Sequence, residues 1–314
     1  MRVIPPISIV DALLTSSSES EPQAGSPSTE NVWSAAATYG LGAEVIETTY
    51  HRKYESLQAA NINHALPDYG ADETANAWWI DIGPTNKWAM FDLLRNTKTE
   101  AAGATITVVL APGERINALA ALGLEATNIT VSMDSIGSPT ENYYSADEDL
   151  DKREVLDWYD YFFEAFVYRE AVAFFDLPPY SDARLTVTIT NTQGDAACGA
   201  LVIGSAQILG ETQQQAESDA LNFSSVTRDA FGNATMVQRR TIPKTVQEVI
   251  CDKGAVNAAR DLRTALNAVP AVWSALEDSD ADFFEALLIL GFYRRFTIRL
   301  EDPWCRIVLE LEEV

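Results

Sequence analysis

Strict alternation of apolar and polar residues marks the middle of the chain as a series of β-strands. In residues 105–110, 129–133 and 184–189, apolar side chains occupy every second position, and threonine fills many of the positions between them. A period of two is typical of antiparallel strands that bury one face. Turn-forming clusters such as residues 191–194 separate these strands. We therefore predict a jelly-roll-like β-sandwich over residues 84–235.

The pattern changes in the last part of the chain, residues 236–314. Apolar residues at three- and four-residue spacing predict one helix over residues 255–268. Two alternating segments follow, residues 295–301 and 306–312, and a hairpin turn near Asp302 and Pro303 would join them. With the helix covering one face of the hairpin, this part is predicted to be an α+β module.

The N-terminal part divides into two regions. Residues 1–32 contain a short apolar segment, predicted to be a strand, and then a stretch rich in Ser, Glu and Pro over residues 15–31, predicted to be a loop or linker. Residues 33–83 contain many Trp and Tyr residues between short strands and turn-forming Gly and Pro. We predict a small aromatic β module here, whose rings do much of the packing. The predicted fold class is therefore mainly β.

Charge excludes two classes of partner. The 314 residues contain 22 Lys and Arg against 46 Asp and Glu, for a net charge of -24. Such a surface repels phosphate backbones and anionic lipids, so we predict no nucleic-acid partner and no membrane association. The apolar stretches are also shorter than the roughly 20 residues of a spanning helix, and prolines interrupt the first ten residues, so we expect no membrane insertion and no signal peptide.

Residue types that carry catalysis or bind metals are sparse. The two histidines, His51 and His64, accompany no GxSxG motif, and we expect both to be structural. The three cysteines lie about fifty residues apart, so they form no CxxC pair, and we expect them to be reduced and buried. The acidic run from Asp147 to Asp151 is consistent with a calcium site, but a solvated loop is the favoured interpretation. We predict no enzyme activity, no catalytic residue, no cofactor and no metal site.

The aromatic residues of 33–83 offer a more specific candidate site. Trp and Tyr rings have flat apolar faces and polar edges, which suits stacking against sugars. Tyr54 and Trp78 are the residues that we would test first. The alternative is that these rings form the core of a small domain.

Several segments carry a pattern of aromatic, glycine and acidic positions: residues 33–46, 54–57, 61, 67 and 78–79. These segments resemble the short carbohydrate-binding module found in chitinases and, repeatedly, in phage tail proteins. In that family an opening Trp, a Tyr followed by Gly, a Tyr-Glu pair and a late Trp frame a small twisted sheet. The resemblance implies Trp33, Tyr54 and Trp78 as carbohydrate-binding residues. The sequence departs from the family at residues 61–64, where Asn-Ile-Asn-His replaces a glycine-containing turn.

Residues 79–92, 157–163 and 176–180 carry a second resemblance. They are similar to an uncharacterised family of tail-associated proteins in phages and prophages, and the block from Gly83 to Asp92 is the most specific part. We assign that block to packing between the small module and the β-sandwich, with Trp88 in the core. The resemblance implies a role in the virion.

The resemblances together imply a structural component of a bacteriophage tail tip or baseplate. Its C-terminal helix and hairpin are similar in fold to ring-forming tail-tip proteins, which implies a homo-oligomer or a place in a ring. The implied partners are other tail or baseplate proteins and, for the small module, a host glycan. The chain would be made in the host cytoplasm and end in the virion tail. The alternative is a receptor- or cell-wall-binding protein whose main task is carbohydrate recognition, and a wall-degrading hydrolase is a third idea without a motif.

Overall fold

The fold is mainly β, which confirms the predicted fold class. A computed structural model describes residues 1–68, 70, 76–137, 140–153, 156–214, 216–279, 281, 283–301 and 303–314. Within those residues, antiparallel sheets dominate and the helices are short.

A five-stranded antiparallel sheet forms the outer layer of the sandwich. Its strands, in spatial order, are β12 (Asn142–Asp149), β11 (Asn128–Ser135), β14 (Ala183–Thr190), β9 (Thr105–Leu110) and β2 (Leu14–Ser17). The apolar positions of β9, β11 and β14 are buried, and the positions between them are partly or fully exposed. The alternation therefore predicted these three strands correctly.

A three-stranded sheet lies in the middle of the molecule. Its order is β13 (Ala171–Phe175), β10 (Ala118–Leu122) and β16 (Ala200–Gly204). Side chains on one face, such as Leu119 and Val172, join the core shared with the five-stranded sheet, and side chains on the other face, such as Ala120 and Val202, join a second core. Because both faces are covered, nearly every residue of these strands is buried, and alternation is absent.

An eight-stranded sheet covers the other side of the middle layer. Its strands are β17 (Gln207–Ile208), β1 (Arg2–Ile4), β23 (Ala271–Ser274), β24 (Leu288–Arg299), β25 (Trp304–Glu313), β22 (Thr241–Asp252) and β18 (Glu211–Thr212), with β19 (Glu217–Asn222) also paired to β22. The antiparallel pairing of β24 with β25 confirms the predicted hairpin, although Asp302 of its turn lies outside the described residues. Four of the eight strands come from outside residues 236–314, so this sheet extends across the predicted boundaries of the α+β module.

One helix covers the outer face of the eight-stranded sheet. Helix α2 (Val256–Ala265) follows a 3-10 turn over Lys253–Ala255, close to the predicted bounds. Ala259, Leu262 and Leu266 pack with sheet residues in one core cluster. The layers therefore run from five strands to three strands to eight strands to helix.

Residues 33–83 form the predicted small module. Strands β4 (Glu44–Glu47), β5 (Arg52–Ser56) and β7 (Trp79–Pro84) make one sheet, and β3 (Thr38–Tyr39) pairs with β6 (Asn61–Ile62). The buried centre consists of Val45, Tyr54 and Trp79, with further aromatic rings packed around it. Tyr69, another aromatic residue of this module, lies outside the described residues.

Residues 15–17 of the segment 15–31 belong to strand β2, and the rest is a loop, as predicted, that packs against the body of the protein. Glu19, Gln23 and Glu30 are buried, and Glu30 accepts hydrogen bonds from the backbone N–H groups of Gln23 (2.9 Å) and Asn86 (2.8 Å). Because buried polar groups are costly without partners, these bonds explain how a Ser- and Glu-rich segment is fixed in place.

The block from Gly83 to Asp92 joins the small module to the sandwich. A 3-10 helix, Asn86–Phe91, carries Trp88 and Met90 into the core of the sandwich. The ring of His51, from the small module, stacks on Trp88 with 4.0 Å between centroids. The predicted packing role of this block is confirmed.

Other short elements lie at the periphery. Strands β8 (Thr99–Glu100) and β15 (Ala197–Cys198) pair with each other, as do β20 (Ser225–Arg228) and β21 (Ala234–Val237). Helices α1 (Trp158–Phe163) and α3 (Phe284–Leu287) are each less than two turns long.

Candidate functional site

The three predicted sugar-binding residues all belong to the small module, but they differ in accessibility. Tyr54 is only 1% exposed, with its ring in the centre of the module. Trp33 and Trp78 are partly buried and pack around that centre, and the ring of Trp78 stacks on His64 with centroids 3.6 Å apart. In this conformation the Tyr54 ring has no free face, whereas Trp33 and Trp78 keep part of their surface in solvent.

We expect Tyr54→Ala to lower the free energy of unfolding by about 3 kcal/mol, because it deletes a fully buried ring from a core of few residues. Urea denaturation followed by intrinsic fluorescence measures this change. Leu41→Ala, at an exposed position of the same module, is the control and should change the stability by less than about 1 kcal/mol. Equal effects of the two substitutions would contradict the core role of Tyr54.

Both histidines are held by neighbouring polar groups. Nδ1 of His51 lies 2.8 Å from Glu21 Oε2, and its Nε2 lies 3.3 Å from Asp11 Oδ2. Nδ1 of His64 lies 3.1 Å from Asn61 Oδ1. These contacts fix the two rings that stack on Trp88 and Trp78, which supports the structural role expected for them.

The acidic run from Asp147 to Asp151 is not a loop, so that interpretation is wrong. Residues 147–149 belong to strand β12, which pairs with β11. Successive side chains of a strand point to opposite faces, so Glu148 points away from Asp147 and Asp149. Asp151 binds the guanidinium of Arg153 at 2.8 Å, and this hydrogen bond lowers the pKa of the aspartate.

Within the described ranges, no group of three or more His, Cys, Asp or Glu side chains has the arrangement of a metal site. In the same part of the chain, none of the helices has the length and apolar character needed to cross a bilayer.

The cysteines are buried and free of disulfides, as predicted. Burial raises the pKa of the Cys198 thiol to about 12, so almost none of it is thiolate at neutral pH. We expect Cys198 to resist a thiol reagent such as DTNB in the native protein at about pH 8 and to react fully in guanidinium chloride. Peptide mapping after alkylation identifies the modified residue, and rapid native labelling of Cys198 would contradict its burial.

Residues 156–167 carry many exposed apolar side chains, and we call this segment the aromatic loop. It contains helix α1, capped at its start by the Asp157 side chain, and no residue of that helix is buried. Trp158, for example, is 78% exposed. The exposed large apolar residues of the aromatic loop are Leu156, Trp158, Tyr159, Tyr161, Phe162, Phe163, Phe166 and Val167.

The rings of the aromatic loop pack on one another at the surface. Tyr161 and Phe162 have centroids 5.0 Å apart, and Trp158 stacks at 6.2 Å from Phe162. Leu156, Asp157 and these three aromatic residues line an open groove of about 890 Å³. An exposed apolar surface of this kind marks an interaction site in soluble proteins.

A second projection is a β-hairpin, residues 223–240, which we call the arm. Strands β20 and β21 pair only with each other among the described residues. The tip is a turn in which Asp229 accepts hydrogen bonds from the backbone N–H groups of Phe231 and Asn233, and Phe231 is 91% exposed. The exposed large apolar residues of the arm are Phe223, Val226, Phe231, Met236 and Val237.

The roots of the two projections are linked by a chain of polar contacts. At the base of the arm, Arg240 lies 3.5 Å from Glu313, which also binds Arg95 at 3.0 Å. Arg95 reaches Glu170 at 3.0 Å, and the Glu170 backbone N–H donates to Glu285. Glu285 binds Lys152, just before the aromatic loop, at 2.7 Å. These contacts connect the arm to the aromatic loop through the end of β25 and helix α3.

Neither projection is predicted as a functional surface from the sequence. Residues 157–163 carry only a resemblance, although their five aromatic residues and two aspartates follow neither a strand nor a helix pattern. That mismatch is the signal that could have singled them out.

The chain matches no model of a protein family, and it has no significant similarity to a curated protein. The two projections and the small module are therefore the features from which a function can be proposed.

Proposed function

We propose that the chain is a structural component of a bacteriophage tail tip or baseplate, and that it acts by assembly with other tail proteins. The observation that carries the assembly role is the pair of exposed apolar projections, the aromatic loop and the arm. Neither is covered by the body of the protein, and leaving so many rings in water is unfavourable unless a partner covers them. The phage context rests on the resemblances of residues 79–92, 157–163 and 176–180.

The proposed role requires no catalytic residue and no cofactor. It places the chain in the virion tail after synthesis in the host cytoplasm, without nucleic-acid contact or membrane insertion. The net charge of -24 supports the exclusion of nucleic acid, because binding to phosphates needs a basic surface.

The test is the location and copy number of the chain in purified particles, by cryo-electron microscopy of the virion with mass spectrometry of its proteins. We expect a ring or bracket at the tail end, with the aromatic loop and the arm buried against neighbours. Absence of the chain from the particle would overturn the tail assignment.

A second candidate function is carbohydrate recognition by the small module. One observation favours it: Trp78 is held flat on His64 while part of its ring stays in solvent, as a sugar-stacking platform requires. Titration of host-surface glycans onto the protein tests this function. Trp78→Ala should abolish the binding and leave the fold intact, since Trp78 is not among the fully buried residues.

A further inference from the structure

The arm has an apolar surface that its own chain does not cover. In the strand pairing of the arm, Val226 lies opposite Met236 on one face, and Val237 lies opposite Ser225 on the other. Both faces of this two-stranded ribbon therefore carry exposed apolar side chains. A two-stranded hairpin is at best marginally stable alone in water, so the arm is expected to gain stability from a partner.

The aromatic loop has the same property. Helix α1 has six residues, fewer than the roughly 12 to 15 at which an isolated helix becomes marginally stable in water. Its rings contact one another at the surface, and its N-cap holds the first turn. A partner that covers these rings would supply the apolar burial that the loop lacks.

The charges of the two projections are opposite. The aromatic loop has three acidic residues, Asp157, Asp160 and Glu164, and no Lys or Arg. The arm has three arginines and one aspartate, a net charge of +2, in a chain whose net charge is -24. The arm is therefore electrostatically complementary to the aromatic loop of a second copy, whose surface as a whole is also acidic.

From these observations we infer that the arm of one copy of the chain docks on the aromatic loop of a second copy. This inference rests on the proposed assembly role and names its contact. Six aromatic rings, each able to bury about 150–250 Å² when covered, together with the apolar residues of the arm, approach the roughly 800 Å² per partner of a stable interface. The acidic residues among the rings also argue against a lipid surface as the partner, since anionic lipids would be repelled.

An arm-to-loop contact joins two different surfaces of the chain. Such a contact closes either as a reciprocal pair related by a two-fold axis or as a ring of more copies. In either arrangement each copy has both of its exposed surfaces covered.

The test is cross-linking between two differently tagged variants of the full chain. One carries Phe231→Cys at the tip of the arm, and the other carries Phe162→Cys on the aromatic loop. The native cysteines are buried, so a short bis-maleimide reacts at the introduced thiols. We expect a mixture of the two variants to give a covalent dimer that contains both tags, at about twice the chain mass of 34.4 kDa. Val10→Cys, at another exposed apolar position, replaces Phe162→Cys in the matched control and should give no dimer with the arm variant.

The inference would be overturned if the mixture gave only monomers, or if cross-links formed only between identical positions. It would also be overturned if a variant carrying both cysteines on one chain formed the cross-link within that chain. A second measurement uses protein without introduced cysteines, so it does not depend on their effect on the interface. Mass photometry of the unmodified protein should show dimers or larger species. The substitution Met236→Asp on the arm should raise the dissociation constant of these species at least about tenfold, and the melting temperature of the variant should be unchanged. An unchanged distribution for Met236→Asp would also overturn the inference.

The outcome is independent of the virion test. A chain that is present in the particle but gives no arm-to-loop cross-link retains the assembly role and loses this contact. A chain that gives the cross-link but is absent from the particle retains the contact and loses the tail assignment.

Discussion

Glu21→Ala is expected to lower the free energy of unfolding by about 3 kcal/mol, although the residue lies in a Ser- and Pro-rich loop. The Glu21 side chain is 6% exposed, and its two oxygens bind groups from separate parts of the chain. The hydroxyl of Thr85 donates to Oε1 at 2.7 Å, and the indole N–H of Trp88 donates to Oε2 at 2.9 Å. Oε2 also lies 2.8 Å from Nδ1 of His51. Removing the carboxyl group leaves these polar groups without their partner at the junction between module and sandwich.

Chemical denaturation of the variant measures this loss, with Glu114→Ala as the control. Glu114 is exposed in a loop, so its removal should change the stability by no more than about 0.5 kcal/mol. The Glu21 variant should also become sensitive to proteolysis within residues 15–31. A Glu21 variant as stable as the control would show that the loop is not fixed by this side chain.

Gly291→Ala is expected to destabilise the protein by about 3 kcal/mol despite adding a single methyl group. Gly291 pairs with Glu313 in the β24–β25 ladder, and a Cβ at this position would overlap the carbonyl oxygen of Glu312. The overlapping group is backbone, so relief requires a shift of β25. The same glycine carbonyl accepts a hydrogen bond from the buried indole of Trp273 at 3.0 Å, which restricts the shift.

Gly254→Ala is the matched control, because the residue is exposed and nothing lies within 4 Å of the position that the added methyl group would take. Its expected change is less than about 1 kcal/mol. Differential scanning calorimetry compares the two variants. Similar melting temperatures would mean that β24 and β25 are farther apart at this point than the structure indicates.

The sequence predicted those strands that bury one face. Ile129, Val131 and Met133 alternate with polar residues because β11 lies in an outer layer, and the same holds for Ile307, Leu309 and Leu311 on the face of β25 toward α2. The strands of the middle sheet were not predicted individually, because both of their faces are buried. Ala118 to Leu122 are all buried, so no alternation remains, and alanine has a low preference for strands.

Candidate surfaces were harder to predict than the fold. Large aromatic residues are ordinarily expected in a core, and for Tyr54 and Trp79 that expectation is correct. The aromatic residues within 158–163 are also Trp, Tyr and Phe, but they are exposed. Which rings are buried depends on which strands surround them, and that arrangement is not encoded in local periodicity.

The pairing of β1 with β23 constrains the order in which the protein folds during synthesis. Arg2 pairs with Ser274, about 270 residues later in the chain. At the usual 5 to 20 residues per second, a ribosome needs roughly 15 to 55 s to make the partner of the first strand. During that interval Val3 and Ile4, both fully buried in the finished protein, can pair only with the two-residue strand β17 and not with β23. Chaperone binding to the nascent segment around β1 would protect this strand until β23 is made.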